Sequence, residues 1–306
     1  MNILSKRYLY FLLSAIIILP GLVLIAINGL PLSIDFTGGS LLEVQFASGK
    51  SPAPADVIAF YNSQQVTDAQ VLTSGEDKLI IRSTFMDEEK LSAVVDGLGK
   101  KFNDTLTIIR SDNVGPTIGA EVANRALLAV LVAALGVVIY ITFAFRGIQH
   151  AIRYGVCAIL AMLHDSLVVI SISAMGATFF GWQVDSLFLT ALLTVIGFSV
   201  QDKIVVFDRI RENSSIFRRL PFETLVNHSI VQTLQRSINT QLMTSEFMLL
   251  ALALLGGVTL REFSVILMIG LLMGTYSSIF IAAPLLVVWE KKEWQTWFGR
   301  NNTAAA

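Results

Sequence analysis

Between Leu163 and Asn213 the chain reads LHDSLVVISISAMGATFFGWQVDSLFLTALLTVIGFSVQDKIVVFDRIREN, two apolar runs joined by a short glycine-containing turn. Asp165 lies inside the first run, Asp202 and Lys203 lie late in the second, and Arg209 comes after them. A charge at bilayer depth costs at least about 2.5–3.5 kcal/mol, so it is kept where it has a partner or a task. Low dielectric disfavours the ionised carboxyl, which lets such a group take and release a proton. The membrane potential acts on that charge with about 2.3 kcal/mol per 100 mV. The chemistry suggested is proton carriage, with Asp165, Asp202 and Arg209 as the relay. Phosphate loops, nucleophile triads and metal-ligand clusters are missing from the sequence, so no enzyme, metal or cofactor is expected.

Composition sets the elements able to hold these residues. Of 306 residues, 54% are hydrophobic and 15% charged, against about 25% charged in a soluble domain. The expectation is a polytopic α-helical membrane protein. A net charge of -1 gives no sign of nucleic-acid binding, and the single Cys157 excludes an internal disulfide. Six spans are expected: Tyr8 to Ile27, Asn124 to Phe145, Ile152 to Met175, Val184 to Phe207, Thr240 to Gly257 and Ser264 to Trp289. The first is long enough to cross. It lacks a small-x-small cleavage site, so it reads as a retained helix and not a signal peptide. Lys6, Arg7, Arg146, His150, Arg153, the arginines of 208–239, Lys291 and Lys292 mark the cytoplasmic side, with both termini there. Trp289, Trp294 and Trp297 suit the interface. Thr259 to Phe263 is read as an outer turn, and Gly270, Gly274 and Ser278 as a small-residue packing stripe.

Residues 30–121 differ from the rest. Polar residues return, and the length supports a small extracytoplasmic core. Ser40 to Phe46 alternates like a strand, Pro54 to Gln65 reads as a helix, and Gln70 to Thr73 with Leu79 to Ser83 as a hairpin. Asp87 to Phe102 is helical by its Leu91, Val94, Val95 and Leu98 spacing, and Thr105 to Arg110 is a last strand. The order β-α-β-β-α-β predicts a small α+β, ferredoxin-like domain between helices 1 and 2. Organisation is then 1–29 (terminus and helix 1), 30–121 (this domain), 122–289 (helices 2–6 with cytoplasmic segment 208–239) and 290–306 (tail).

Counting depth at about 1.5 Å per residue places Asp165 about 20 Å from the inner start of its span, level with Thr194. Thr190, Thr194, Gly197 and Gln201 share one face of the next helix, a polar stripe expected to meet Asp165. Asp202 falls about 12 Å nearer the cytoplasm by the same rise, which disfavours a shared-proton protease dyad. His164 reads as a packing or hydrogen-bonding residue. Lys203 and Glu246 count to similar depth, which predicts an ion pair between the fourth and fifth helices. The other reading pairs Lys203 with Asp202 or the inner surface and leaves Glu246 to titrate.

Several motifs then fall together: Ser33-Ile-Asp-Phe-Thr-Gly-Gly39, Val114-Gly-Pro116, Leu163-His-Asp165, Ala191-Leu-Leu-Thr-Val-Ile-Gly197, Val205-Val-Phe-Asp-Arg-Ile-Arg-Glu-Asn213 and Ser229-Ile-Val-Gln-Thr-Leu-Gln-Arg-Ser-Ile238. In this combination and order the chain resembles the SecF family of the resistance-nodulation-division transporter superfamily, over nearly its whole length. The resemblance implies a SecD partner in a heterodimer, the SecYEG channel, unfolded preproteins as cargo, and protons as driving ion, in a bacterial plasma membrane or an internal energy-transducing one. It maps the proton-linked carboxylate to Asp165, and further polar positions to Asp202, Asp208 and Arg209. Asp35, Gly38 and Gly39 fall at the turn where the outer domain joins the membrane, a position needing backbone freedom. Lys203 and Glu246 depart from the family pattern. A lipid or drug exporter of the same superfamily and a purely structural assembly subunit are the competing functions; the single helix bundle argues against the first and Asp165 against the second.

Overall fold

A computed structural model describes residues 2–146, 151–241, 246–256, 258–293 and 295. The chain forms two compact units: Leu30–Ala129 with Gln183–Ser186, and the remainder.

After helix α1 (Arg7–Asn28), the first unit opens with the short α2 (Ile34–Thr37). It continues through β1 (Gly39–Phe46), α3 (Pro54–Ser63), β2 (Gln70–Thr73), β3 (Lys78–Ser83), α4 (Glu88–Phe102) and β4 (Leu106–Val114). The sheet order is β2-β3-β1-β4, every pair antiparallel. Alternation decides the inner face: Leu42, Val44 and Phe46 of β1 and Leu79 and Ile81 of β3 are buried with Val57, Phe60 and Tyr61 of α3 and Val94 and Leu98 of α4. Burial also pushes the Tyr61 phenol well above its ordinary range. The α4 helix starts where Asp87 accepts the Lys90 backbone N–H at 2.8 Å, an N-cap. The last strand runs to Val114, beyond the Arg110 expected from sequence. Its end pairs Gly39 with Val114, and Asn113 is fixed by the Ser40 hydroxyl at 2.7 Å. Polar Ser111, Asp112 and Asn113 hide that continuation from a hydrophobic pattern.

The second unit is helical. It takes in α1, part of α5 (Pro116–Ala144), then α6 (Ala151–Phe180), α7 (Ser186–Ile216), α8 (Phe222–Gln241), α9 (Phe247–Leu255), α10 (Val258–Ser277) and, after a π-helical turn at Ser278–Ala282, α11 (Ala283–Glu290). Among the described residues, five helical stretches are long and apolar enough to cross a membrane: Leu4–Asn28, Pro116–Ala144, Ala151–Phe180, Ser186–Ile216 and Leu260–Glu290. The span expected over Thr240 to Gly257 falls partly outside the described residues, as do His150, Trp294 and Trp297. Two sequence boundaries are corrected. Thr259 to Phe263 belongs to α10 and is no turn, because Gly256 ends α9 and the helix resumes at Val258. The helix that holds the fourth span does not stop at Phe207 but continues to Ile216.

Small residues set how closely the helices approach. A methyl group on Gly21 of α1 would sit 2.0 Å from the Ser171 hydroxyl of α6, which donates to the Ile17 and Ile18 carbonyls. One on Gly270 would sit 2.3 Å from Val195 of α7, and Gly274 lies against Ser199. At one end of the bundle Arg7 holds Glu293 at 2.5 Å and Glu223 at 2.9 Å, while Lys291 also reaches Glu223. This charge cluster ties the start of α1 to α8 and to the chain after α11.

Candidate functional site

Asp165 stands at the centre of α6, 1% exposed. Its Oδ2 accepts the Lys203 ammonium at 2.6 Å, the Ser277 hydroxyl at 2.7 Å and the Ser199 hydroxyl. Its Oδ1 meets His164 Nδ1 at 2.9 Å. Lys203 is fully buried, and its three ammonium protons are met by Asp165 Oδ2, Ser199 Oγ and the Ser199 carbonyl. The α-helical repeat explains the grouping. Ser199 and Lys203 are four residues apart, so they lie on one face of α7, and α10 brings Ser277 from the other side. Two opposite charges are thus sealed inside apolar helices, each saturated with polar contacts, as burial of an ion pair demands.

Asp202 is built differently. It is partly exposed, and hydroxyls alone hold it among the described residues: Ser237 of α8 at 2.7 Å on Oδ1 and Ser278 on Oδ2. Ser277 and Ser278 are consecutive, about 100° apart around the helix and separated by about 1.5 Å of rise. One helix therefore serves both carboxylates at nearly one level.

Several sequence expectations are corrected by this geometry. Lys203 pairs with Asp165, and neither with Glu246 nor with Asp202; Glu246 instead accepts from Gln241 at 3.2 Å. The stripe of Thr190, Thr194 and Gln201 supplies none of the bonds to Asp165. Thr190 and Gln201 are exposed, and Thr194 bonds back to the Thr190 carbonyl. The axial offset of about 12 Å between the two aspartates, counted from helical rise, also disappears. The depth count is displaced: Asp165 meets Ser199 and Lys203, five and nine positions past Thr194. The stripe fails by its face, since Thr190 and Gln201 lie on an exposed side of α7. Asp165 lies fourteen positions after Ala151 and Asp202 fourteen before Ile216. Ser278 does more than pack, since it bonds Asp202. Sequence reasoning misses Ser199, Ser237 and Ser277. Their signal is a hydroxyl one turn from, or on the face of, an ionisable residue in an apolar run.

Arg209 is not brought to either aspartate. Its Nε donates to Gln232 at 2.7 Å and its guanidinium pairs with Glu212 at 2.5 Å. It lines a cavity of about 360 Å³ with Val205, Asp208, Thr233 and Arg236 between α7 and α8.

The glycine turn belongs to the sheet unit. Gly38 has φ +76°, and a Cβ there would lie 2.6 Å from the Pro116 Cα. Gly119 faces it, with an added Cβ 2.5 Å from the Gly38 nitrogen. Only glycine fits both the left-handed conformation and the approach. Gly39 continues the turn at φ +141°. Asp35 Oδ2 accepts both the Ser186 backbone N–H at 2.9 Å and its hydroxyl at 2.5 Å.

Comparison with known proteins agrees across the whole chain. The family model "Protein export membrane protein SecD/SecF, C-terminal" matches residues 94–292, and the "SecD/SecF GG Motif" matches 23–49. The protein translocase subunit SecF of Anaerolinea thermophila is 66% identical over all of this chain and 99% of its own length. That of Thermobaculum terrenum is 44% identical over the same shares. The crystal structure of SecDF from Thermus thermophilus, a translocon-associated membrane protein, matches with a TM-score of 0.83 at 30% identity. That match covers 95% of this chain and 39% of the SecDF chain. The GG motif contains the Asp35–Gly39 turn, and the longer match contains the Asp165 and Asp202 sites: the chain belongs to the SecF family of protein translocase subunits.

Proposed function

We propose that this chain acts with SecD to couple a proton gradient to completion of preprotein export through the SecYEG channel. The observation that carries the reading is the sealed Asp165 site: a carboxylate 1% exposed in a membrane-spanning bundle, held by Lys203, Ser199, Ser277 and His164. Asp165 is the proton-linked residue of this proposal, with Asp202 in the relay and Arg209 beside the cavity between α7 and α8. The proposal extends to topology. The chain lies in the bacterial plasma membrane, with six spans and both termini cytoplasmic. Residues 30–121 form an extracytoplasmic ferredoxin-like domain, which the sheet order β2-β3-β1-β4 supports. A SecD heterodimer is part of the proposal, supported by the family and by a SecDF neighbour of whose chain the match covers 39%.

One observation favours a second reading, an assembly subunit with no proton path of its own: a saturated ion pair such as Asp165–Lys203 is also a stable structural feature. Export of a preprotein into inverted vesicles, with SecD present and a gradient imposed, separates the two. Asp165→Asn at matched assembly is expected to abolish the gradient-dependent gain. Full retention of that gain selects the assembly subunit.

A further inference from the structure

We infer that Asp35 is a positioning residue for the coupling: by holding the first residue of α7, it makes the turn from Ser33 to Gly39 a fixed joint through which the sheet unit and the Asp165–Lys203 pair move each other. This rests on the proposed coupling function and gives a task to a motif that the proton site leaves unused. The joint is built from backbone first. Leu32 and Val184 form a parallel β-bridge, in which the Ser33 N–H donates to the Val184 carbonyl at 2.9 Å and the Val184 N–H to the Pro31 carbonyl at 2.7 Å. Ile34, Phe36 and Val184 are buried. Ser33 caps the short α2 by accepting the Asp35 N–H at 3.2 Å. The Asp35 carboxylate then takes the N–H and the hydroxyl of Ser186 on one oxygen, Oδ2. A helix start leaves such N–H groups without partners inside the helix and carries partial positive charge. A carboxylate there holds α7 by bonds and by charge.

The same turn is pressed against the sheet. Gly39 opens β1, and a Cβ on it would meet the Ser83 carbonyl of β3 at 2.7 Å. A Cβ on Gly38 would meet Pro116 at the start of α5. Movement of β1 therefore carries the turn with it, and Asp35 carries Ser186. From there α7 runs unbroken to Ile216 without a proline. Ser199 and Lys203 lie thirteen and seventeen residues beyond Ser186, about 20 and 26 Å along the axis. Both donate to Asp165 Oδ2, Lys203 at 2.6 Å. Good hydrogen bonds span only about 0.5 Å in length, so an axial shift of α7 by about 1 Å breaks them. In the other direction, a proton on Asp165 removes the counter-charge of Lys203 and loosens the hold on α7. The joint passes that release to β1.

Export into inverted vesicles by the SecD-bound complex tests the joint. Asp35→Ala should lose about 5-fold or more of the gradient-dependent gain, the lower end of ordinary coupling between two sites. Asp35→Asn keeps an oxygen that accepts from Ser186 and should restore most of it. Hydrogen exchange at the start of α7 should rise in Asp35→Ala and stay near wild type in Asp35→Asn. A covalent link gives a second arm. Strand neighbours lie about 4.8 Å apart, within reach of a disulfide, so Leu32→Cys with Val184→Cys can lock the bridge. The native Cys157 is buried. Oxidising the pair should leave the gain intact beside Asp35 and return it to Asp35→Ala, with reductant reversing the rescue. Loss of gain on oxidation beside Asp35 means that the joint must flex, and overturns the inference. So does Asp35→Ala with unchanged gain, or Asp35→Asn as impaired as Asp35→Ala. If Asp35→Ala does not assemble, the oxidised pair beside Asp35 decides alone. Absence of any gradient-dependent gain in the wild-type complex instead sinks the coupling function, while hydrogen exchange still reports whether Asp35 holds α7.

Discussion

Asp165 and Asp202 occupy the same bundle, yet the protein handles them in opposite ways. Asp165 receives a full counter-charge, four polar partners and almost no exposure. Asp202 is partly exposed and receives two serine hydroxyls. A sealed carboxylate needs a cation, because hydroxyl dipoles alone do not repay the loss of water. A partly exposed carboxylate manages with hydroxyls. The contrast therefore separates a site held by charge from one held by dipoles.

The largest test removes the charge. Lys203→Met leaves a buried carboxylate uncompensated and should cost about 3–5 kcal/mol. Denaturant or thermal unfolding of the detergent-solubilised protein would read this loss. Adding Asp165→Asn to the same chain should recover more than half of it, and a double variant as unstable as the single would mean the two groups do not form a unit.

Next in size come the consecutive serines. Hydrogen bonds to ionised groups are worth about 1.5–3 kcal/mol. Ser278→Ala should approach the upper part of that range, since it leaves Asp202 with the Ser237 hydroxyl alone. Ser277→Ala should fall at or below the lower part, since Asp165 keeps His164, Ser199 and Lys203. The reverse order in unfolding measurements would break the distinction between the two sites.

The smallest effect belongs to Glu223, in the half-exposed charge cluster with Lys291 and Arg7. The hydrogen bond from Lys291, then that from Arg7, holds its carboxyl below the usual glutamate range. A carboxyl with a depressed folded-state pKa contributes stability that is complete above the unfolded value, about 4.3. That contribution is lost as pH falls through the lower folded value. The melting temperature of Glu223→Gln should trail wild type by an amount worth ~0.5–1 kcal/mol at neutral pH. The gap should close in acid. A gap that widens in acid would contradict the sign.

The sheet unit is largely legible in the sequence because its signals are local. Leu42, Val44 and Phe46 alternate, Leu91, Val94, Val95 and Leu98 keep helical spacing, and Asp87 caps the helix that carries those four. The site is half legible. Asp165, Asp202 and Lys203 stand out because charges are rare in apolar runs. Their partners do not, because partnership depends on helix register. A register reckoned from a boundary at Phe207 is wrong by more than one turn, since Asp165 meets Ser199 and Lys203, five and nine residues past the expected Thr194. Serines in apolar helices carry no hydropathy signal strong enough to correct that count. His164 is visible beside Asp165, but its orphaned Nε2 is a fact of three-dimensional packing.

The neighbouring hydroxyls of Ser277 and Ser278 make the end of α10 and the π-helical turn after it behave as one mechanical part. Both bonds are short and both leave from the same helical turn, so sliding that turn by a single residue's rise, about 1.5 Å, strips a donor from each aspartate at once. Neither carboxylate can then be disturbed through this helix in isolation. By thermodynamic reciprocity, whatever a displaced α10 does to the affinity of one aspartate for a proton, a proton at that aspartate does to the displacement, and so to the other.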